Sequence, residues 1–356
     1  MKKLIVFFLI ISSLLALSLT NGNITKINAE YYSRASVVIE ITSKRVLSEK
    51  NKDERLAMAS TTKIMTALIT LENCENLDEE VKIDDRAVGI EGTSIYLKKG
   101  ETLSVKELLY GLMLRSGNDC AECLAITLCD NRSEFISLMN KTAKNYGAYN
   151  SNFVNPHGLH HDNHYTTAYD LAVISANAMK NPTFREIVAT KRVSISNDGY
   201  DYQRVLINKN KMLNMVDGAT GIKTGYTKKA GRCLVSSVKR NGFEVVSVVL
   251  NSPNMWERST EIINNAFNNY NVTKIFDADK FNGEIRVDSK GNKYNFLVEN
   301  DFYYPISTNE LNNVILKING ESLSEFCKNP SKVGELQIFI QNKLIFSQNL
   351  FTIYSK

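Results

Sequence analysis

The sequence predicts an α+β protein in two unequal parts: a domain of helices and antiparallel strands over residues 30–274, then a small β-rich domain over residues 275–356. Three observations predict this. Apolar residues recur at helical spacing through much of the first part, for example at Ile64, Met65, Leu68 and Ile69. Beyond residue 274 they fall instead into short alternating runs separated by Asn and Gly. The first 29 residues belong to neither pattern and read as an export signal.

Lys2 and Lys3 precede an apolar run from Leu4 to Leu19, and Ala29 ends the small-residue segment Ile27-Asn28-Ala29. A basic start, a short apolar stretch and a small residue soon afterwards describe a secretory signal peptide. As a helix the run rises about 24 Å, short of the ~30 Å hydrocarbon core, which favours cleavage over an uncleaved anchor. Either way the remainder is expected outside the cytoplasm.

Residues 35–41 and 45–48 read as strands around a turn, and a helix is expected from about 60 to 73. Ser104-Val-Lys-Glu107 is a capping-box pattern opening a helix over 105–114, and another helix, about 119–128, starts just past Ser116-Gly117-Asn118. Residues 133–146 and 167–180 read as helical, 205–207, 233–239 and 244–250 as strands, and 257–270 as a closing helix. In the second part, 285–287, 313–318 and 336–340 read as strands, and Gln341-Asn342-Lys343 breaks a final β-hairpin over 336–353.

Of the 356 residues, 43% are hydrophobic and 23% charged, with 5 prolines, as in a folded globular chain. The 43 Lys+Arg against 38 Asp+Glu give +5; removing Lys2, Lys3 and Lys26 leaves 40 against 38, or +2. So mild a balance sets aside nucleic acid as the main partner. Cys120, Cys123 and Cys129 fall in one helix among Ala and Leu, where cysteine serves as a small apolar residue. Free thiols are the expectation for them and for Cys74, Cys233 and Cys327; export leaves a disulfide open, and the CxxC spacing a metal or redox pair.

Three short motifs carry chemistry. In Ser60-Thr-Thr-Lys63, an i, i+3 spacing puts a hydroxyl and an amine on one helical face. Serine needs a base, and lysine becomes one only where burial and a second cation push its pKa down. Ser116-Gly117-Asn118 offers a hydroxyl to relay a proton and an amide to hold a peptide group, although the same residues also suit a simple turn or cap. Lys223-Thr224-Gly225, before the 233–239 strand, suits a carboxylate and leaves room for a substrate backbone, although a generic turn would also use them.

This trio, in this order, resembles that of the low-molecular-mass penicillin-binding proteins acting as serine D-alanyl-D-alanine carboxypeptidases. The resemblance extends to Ala57–Lys63, the stretch from Leu97 to Asn118, Asn155-Pro-His-Gly-Leu159, His164–Asp170 and Gly221–Thr227, covering about residues 33–354. It implies a transpeptidase-like (β-lactamase-like) fold and no cofactor or metal. It implies Ser60 as nucleophile, Lys63 as base, Ser116 as proton relay to the leaving amine, and Asn118 as holder of the substrate amide and of Lys63. Lys223 and Thr224 would bind the terminal carboxylate, Gly225 would admit the substrate backbone, and the amides of Ser60 and Tyr226 would form the oxyanion hole. Peptidoglycan stem peptides are the implied substrate, β-lactams the implied inhibitors, and no obligatory protein partner is implied.

A class A β-lactamase shares the trio but needs a glutamate past the second motif, and residues 135–185 contain none. The same motifs would also serve a D,D-endopeptidase acting on cross-links, or persist in a non-catalytic homologue that binds peptidoglycan. The four histidines, His157, His160, His161 and His164, invite a zinc site, but they read as a structural loop. Lys209 lies near where some relatives place a further carboxylate-binding cation. No basic amphipathic helix follows the final hairpin, so the mature protein is expected to be released, or held by an uncleaved N-terminal segment.

Overall fold

Runs of β-branched residues build the central sheet, and their alternation decides what covers each face. The computed structural model describes residues 32–129, 131–197, 201–278, 283–287, 293–298, 300–320 and 332–353. The expected export signal and Cys327 lie outside them.

Strands β1 (Ala35–Glu40), β2 (Val46–Lys50), β7 (Ala219–Thr227), β8 (Gly231–Arg240) and β9 (Phe243–Leu250) form one antiparallel sheet in the order β2-β1-β9-β8-β7. Two short pairs lie apart from it, β3 (Glu80–Lys82) with β4 (Thr102–Ser104) and β5 (Arg192–Ile195) with β6 (Arg204–Ile207). β1 and β9 are buried at every position. Val246, Val248 and Leu250 point into the main core, while Val245 and Val249 point into a second core with Leu234, Val238 and Ile262. A period-2 strand buried on both sides therefore reads as a continuous valine run. The second core is closed by the C-terminal helix of this region, Met255–Asn269.

The main core is capped by a helical lobe. Its central helix, α1 (Lys63–Asn73), is buried over its first eight residues, so it is apolar around most of its circumference. Around it lie α2 (Val105–Tyr110), α3 (Asn118–Cys129), α4 (Arg132–Asn145), α5 (Ala168–Ala178) and α6 (Pro182–Ala189). The Ser104/Glu107 capping box opens α2 as the sequence predicts. Cys120 and Cys123 are buried free thiols on α3, and Cys233 is a third on β8.

Local structure departs from the expectation at three informative places. The helix expected from residue 60 begins as a separate 3-10 turn, Ala59–Thr62, with Ala59 at φ +50. The helix expected over 105–114 gives way to a π turn, Gly111–Arg115, followed by Ser116 at φ +67. Lys223-Thr224-Gly225, expected only ahead of the 233–239 strand, lies inside an edge strand of its own, β7. Glycine argues against a strand there, but contact with the 3-10 turn overrides propensity. A Cβ on Gly225 would sit 3.0 Å from Met58 O and Ser60 N.

From Asn271 onward the chain builds separate sheets. β10 (Asn271–Phe276) pairs with β13 (Phe302–Ile306). β11 (Gly283–Val287), β12 (Lys293–Leu297), β14 (Val314–Gly320), β15 (Lys332–Ile340) and β16 (Lys343–Ile353) form a second sheet in the order β11-β12-β16-β15-β14. Phe276, Val298, Leu336, Ile338 and Leu350 form their own core. The predicted final hairpin is β15–β16: Ile340 faces Lys343, and Gln341 and Asn342 both have positive φ, as a type I′ turn requires.

One side chain fastens this region to the first. Arg45, ahead of β2, donates to Pro305 O and pairs with Glu310, and its guanidinium lies 5.1 Å from the Tyr270 ring centroid and 5.0 Å from that of Tyr304. Removing one partner of so enclosed a pair costs roughly 3 kcal/mol. Arg45→Ala is therefore expected to split thermal denaturation into two transitions, the C-terminal region melting first. A single, unshifted transition would show that the Arg45 contacts do not couple the two regions.

Candidate active site

The first two motifs meet at the amine of Lys63. Its side chain is fully buried. Nζ lies 3.2 Å from Ser60 Oγ, 2.6 Å from Asn118 Oδ1 and 2.6 Å from the carbonyl of His157. Two of these neighbours are carbonyl oxygens that can only accept; the third is a hydroxyl that can donate. A neutral amine satisfies all three, giving its two hydrogens to the carbonyls and its lone pair to the Ser60 hydroxyl. Burial, followed by the charge of Lys223, holds the Lys63 pKa well below that of an ordinary lysine.

Each of those contacts is placed by its own local structure. Asn118 begins α3; its backbone N–H donates to Thr93 O and its side-chain amide to Glu91 O. The next residue, Asp119, accepts from the amides of Ile95 and Leu97 and from the Ser94 hydroxyl, fixing the loop that supplies Thr93. The His157 carbonyl is aimed by its imidazole. Nδ1 accepts from Leu159 N, so Nε2 carries the proton and faces Glu122 Oε1 at 3.0 Å.

The Ser60 turn is set by a close approach of Gly158, at φ +89. A Cβ there would sit 2.0 Å from Ala59 O, which no other residue allows. His164 reinforces the turn: its Nδ1 accepts from Val154 N, so Nε2–H donates to Thr62 Oγ1, which in turn donates to Ala59 O. The two buried histidines thus spend both ring nitrogens on the fold.

Lys223 and Thr224 arrive on β7 from the other side of the cleft. Lys223 is buried, donates to Thr224 O at 3.0 Å, and is pushed down to about 7 by burial and by the charge of Lys209. Alternation along β7 buries Lys223 and Gly225 and turns Thr224 and Tyr226 toward the opening. The cleft has a volume of about 460 Å³ and brings together Ser60, Ser116, Thr224, Gly225, Tyr226 and Lys209. It is also lined by Thr93, Arg232, Met255 and Trp256, which sequence reasoning missed. Nothing in their local sequence marks them: Thr93 arrives on the loop anchored by Asp119, Arg232 through the β7–β8 pairing, and Met255 and Trp256 through the packing of the Met255–Asn269 helix.

Such a site can attack a carbonyl with a serine hydroxyl activated by a neutral lysine, beside cations that suit a substrate carboxylate. Known proteins share this architecture. The profile of the D-alanyl-D-alanine carboxypeptidase family matches residues 22–254, and that of the penicillin-binding protein 5 C-terminal domain matches 270–354. The D-alanyl-D-alanine carboxypeptidase DacF of Bacillus subtilis is 31% identical over 303 residues, 83% of this chain and 75% of that protein. The crystal structure of the Francisella tularensis carboxypeptidase DacD superposes with a TM-score of 0.72 at 25% identity, covering 95% of this chain and 97% of that one. Penicillin-binding protein 5 of Haemophilus influenzae shares the fold, with a TM-score of 0.77 at 24% identity over 91% of this chain and 97% of that one. The chain belongs to the D-alanyl-D-alanine carboxypeptidase family, as a serine-type carboxypeptidase of the low-molecular-mass penicillin-binding protein class.

Proposed function

We propose that this carboxypeptidase is exported, trims peptidoglycan pentapeptide stems in cell-wall remodelling, and is inhibited by β-lactams. In this reading residues 1–29 are a signal peptide, 30–274 the catalytic domain and 275–356 an accessory domain. The observation that carries it is the Lys63 amine, fully buried, 3.2 Å from Ser60 Oγ and saturated by two carbonyls.

Ser60 Oγ attacks the carbonyl between the two D-alanines as its proton passes to Lys63 Nζ. The oxyanion is held by the backbone amides of Ser60 and Tyr226, a contribution of about 3 kcal/mol. Ser116 hands the proton to the leaving D-alanine amine, and the acyl-enzyme remains until water attacks it. Asn118 commits one side-chain N–H to Glu91 O and offers the other to the substrate amide. Lys223 and Thr224 receive the terminal carboxylate, with Lys209 as a further cation in the cleft. β-Lactams mimic the dipeptide and acylate Ser60.

Intact mass after mixing the signal-free protein with penicillin is expected to show one persistent adduct, absent in Ser60→Ala. D-Alanine release should be lost in the same variant, by at least a thousandfold. Rapid drug loss without an adduct would point to a β-lactamase instead. A folded protein that neither binds the drug covalently nor releases D-alanine would be a non-catalytic homologue.

The two lysines also set a pH dependence. Lys63 must be neutral to act as base, so kcat/KM should rise with pH through its depressed pKa. Lys223 must be charged to hold the carboxylate, so kcat/KM should fall above about 7, where the free enzyme loses that proton. Lys223→Arg, which stays charged, is expected to move the alkaline limb upward. A wild-type profile still rising at high pH would remove Lys223 from carboxylate binding.

A further inference from the structure

The cleft contains one cation that the proposed chemistry does not use. Arg232 lines it, is exposed, and sits on β8 directly across from Tyr226 of β7. Its backbone carbonyl accepts from Ser252 N. Among the described residues, its guanidinium has neither an ion pair nor a hydrogen bond within the protein. Lys223, by contrast, spends its ammonium within the protein, on Thr224 O. An unpaired, planar, permanently charged fork facing a substrate cleft is suited to a carboxylate.

Its place along the cleft says which carboxylate. Lys223 and Tyr226 are three residues apart on β7, about 10 Å at 3.3 Å per residue. A substrate extended beside this edge strand advances at the same pitch. With its terminal carboxylate at Lys223 and Thr224 and its scissile carbonyl at the Tyr226 amide, its third residue from the C-terminus comes just past Tyr226, at the end of the cleft where Arg232 lies. Met255 and Trp256 line the cleft as well, giving a side chain there an apolar wall beside the charge.

We propose that Arg232, with Tyr226 and Trp256, forms an acyl-side subsite that selects stem peptides carrying a free carboxylate on the third residue from the C-terminus. This rests on the carboxypeptidase reading above and adds the substrate class. An uncharged side chain loses the contact, and a cationic one is repelled.

The test compares three acetylated tripeptides ending in D-Ala-D-Ala, whose first residue is glutamate, its near-isosteric amide glutamine, or lysine. Wild-type enzyme at low salt is expected to prefer glutamate over glutamine by about fivefold in kcat/KM, the size of a partly exposed charged pair. Lysine should be the poorest of the three. Salt should erode the preference. In Arg232→Gln the glutamate-to-glutamine ratio should fall to near one, and Arg232→Lys should restore part of it. A ratio unaltered by Arg232→Gln overturns the proposal. An equal loss on all three peptides also overturns it, because Arg232 would then serve the terminal carboxylate they share. Failure of the wild type to release D-alanine from any peptide would strike the carboxypeptidase reading itself, and the subsite with it.

Discussion

The structure around the cleft depends on an amine buried with no countercharge in contact. Lys63 opens the central helix of the helical lobe, fully enclosed, and every polar atom touching it is a carbonyl or a hydroxyl. Burying a charged ammonium in such a place is costly, and burial accordingly holds the Lys63 pKa well below that of an ordinary lysine. That constraint explains the residues around it. Asn118 supplies an acceptor without a charge. The His157 carbonyl supplies another, and its own imidazole is occupied by Leu159 N and Glu122. An aspartate in place of Asn118 would favour the protonated amine, which in the proposed mechanism could not take the Ser60 proton.

The sequence made the chemistry legible and much of the fold, but not the cleft's full lining. Ser60, Lys63, Ser116, Asn118, Lys223 and Thr224 sit in contiguous motifs whose residue types are tied to one reaction class. Helix and strand patterning was readable wherever one face is buried, as in the Ser104/Glu107 box and the hairpin around Gln341-Asn342. It failed where tertiary contact sets the backbone. Ala59 at φ +50 answers to Gly158, ninety-nine residues later, and nothing in Ala57-Met-Ala-Ser60 foretells it. Likewise β7 is a strand despite Thr-Gly at its centre, because its pairing with β8 and its approach to the Ser60 turn outweigh propensity. Arg232 is the clearest omission: it becomes meaningful only through its register with Tyr226.

Two strained positions belong to the candidate site, one beside Ser60 and one opening the second motif. Ala59 and Ser116 both adopt left-handed backbone, each costing on the order of 1 kcal/mol, and both are held by their surroundings. Ala59 is held through its carbonyl, by Thr62 and ultimately His164. Ser116 is bracketed by the π turn and by α3, whose Asp119 anchors the opposing loop. Of the four clustered histidines, His157 and His164 each spend one ring nitrogen on a backbone N–H and the other on a side chain, Glu122 and Thr62 respectively. His157 and His164 stabilise loops on either side of the reacting groups.

The two buried lysines are coupled, and the coupling gives substrate binding a consequence beyond position. Lys223 is among the charges that hold Lys63 down, second only to burial, while Lys209 acts on both. In the proposed mechanism a terminal carboxylate arriving at Lys223 and Thr224 would cancel part of that field. Lys223 then keeps its proton more firmly, and Lys63, facing less positive charge, becomes a stronger base when a hydroxyl waits for it. An uncharged ligand in the same cleft supplies no such cancellation. On this reading the terminal carboxylate raises the reactivity of Ser60 as well as orienting the scissile bond, so specificity for a free C-terminus and catalysis arise from the same electrostatic change.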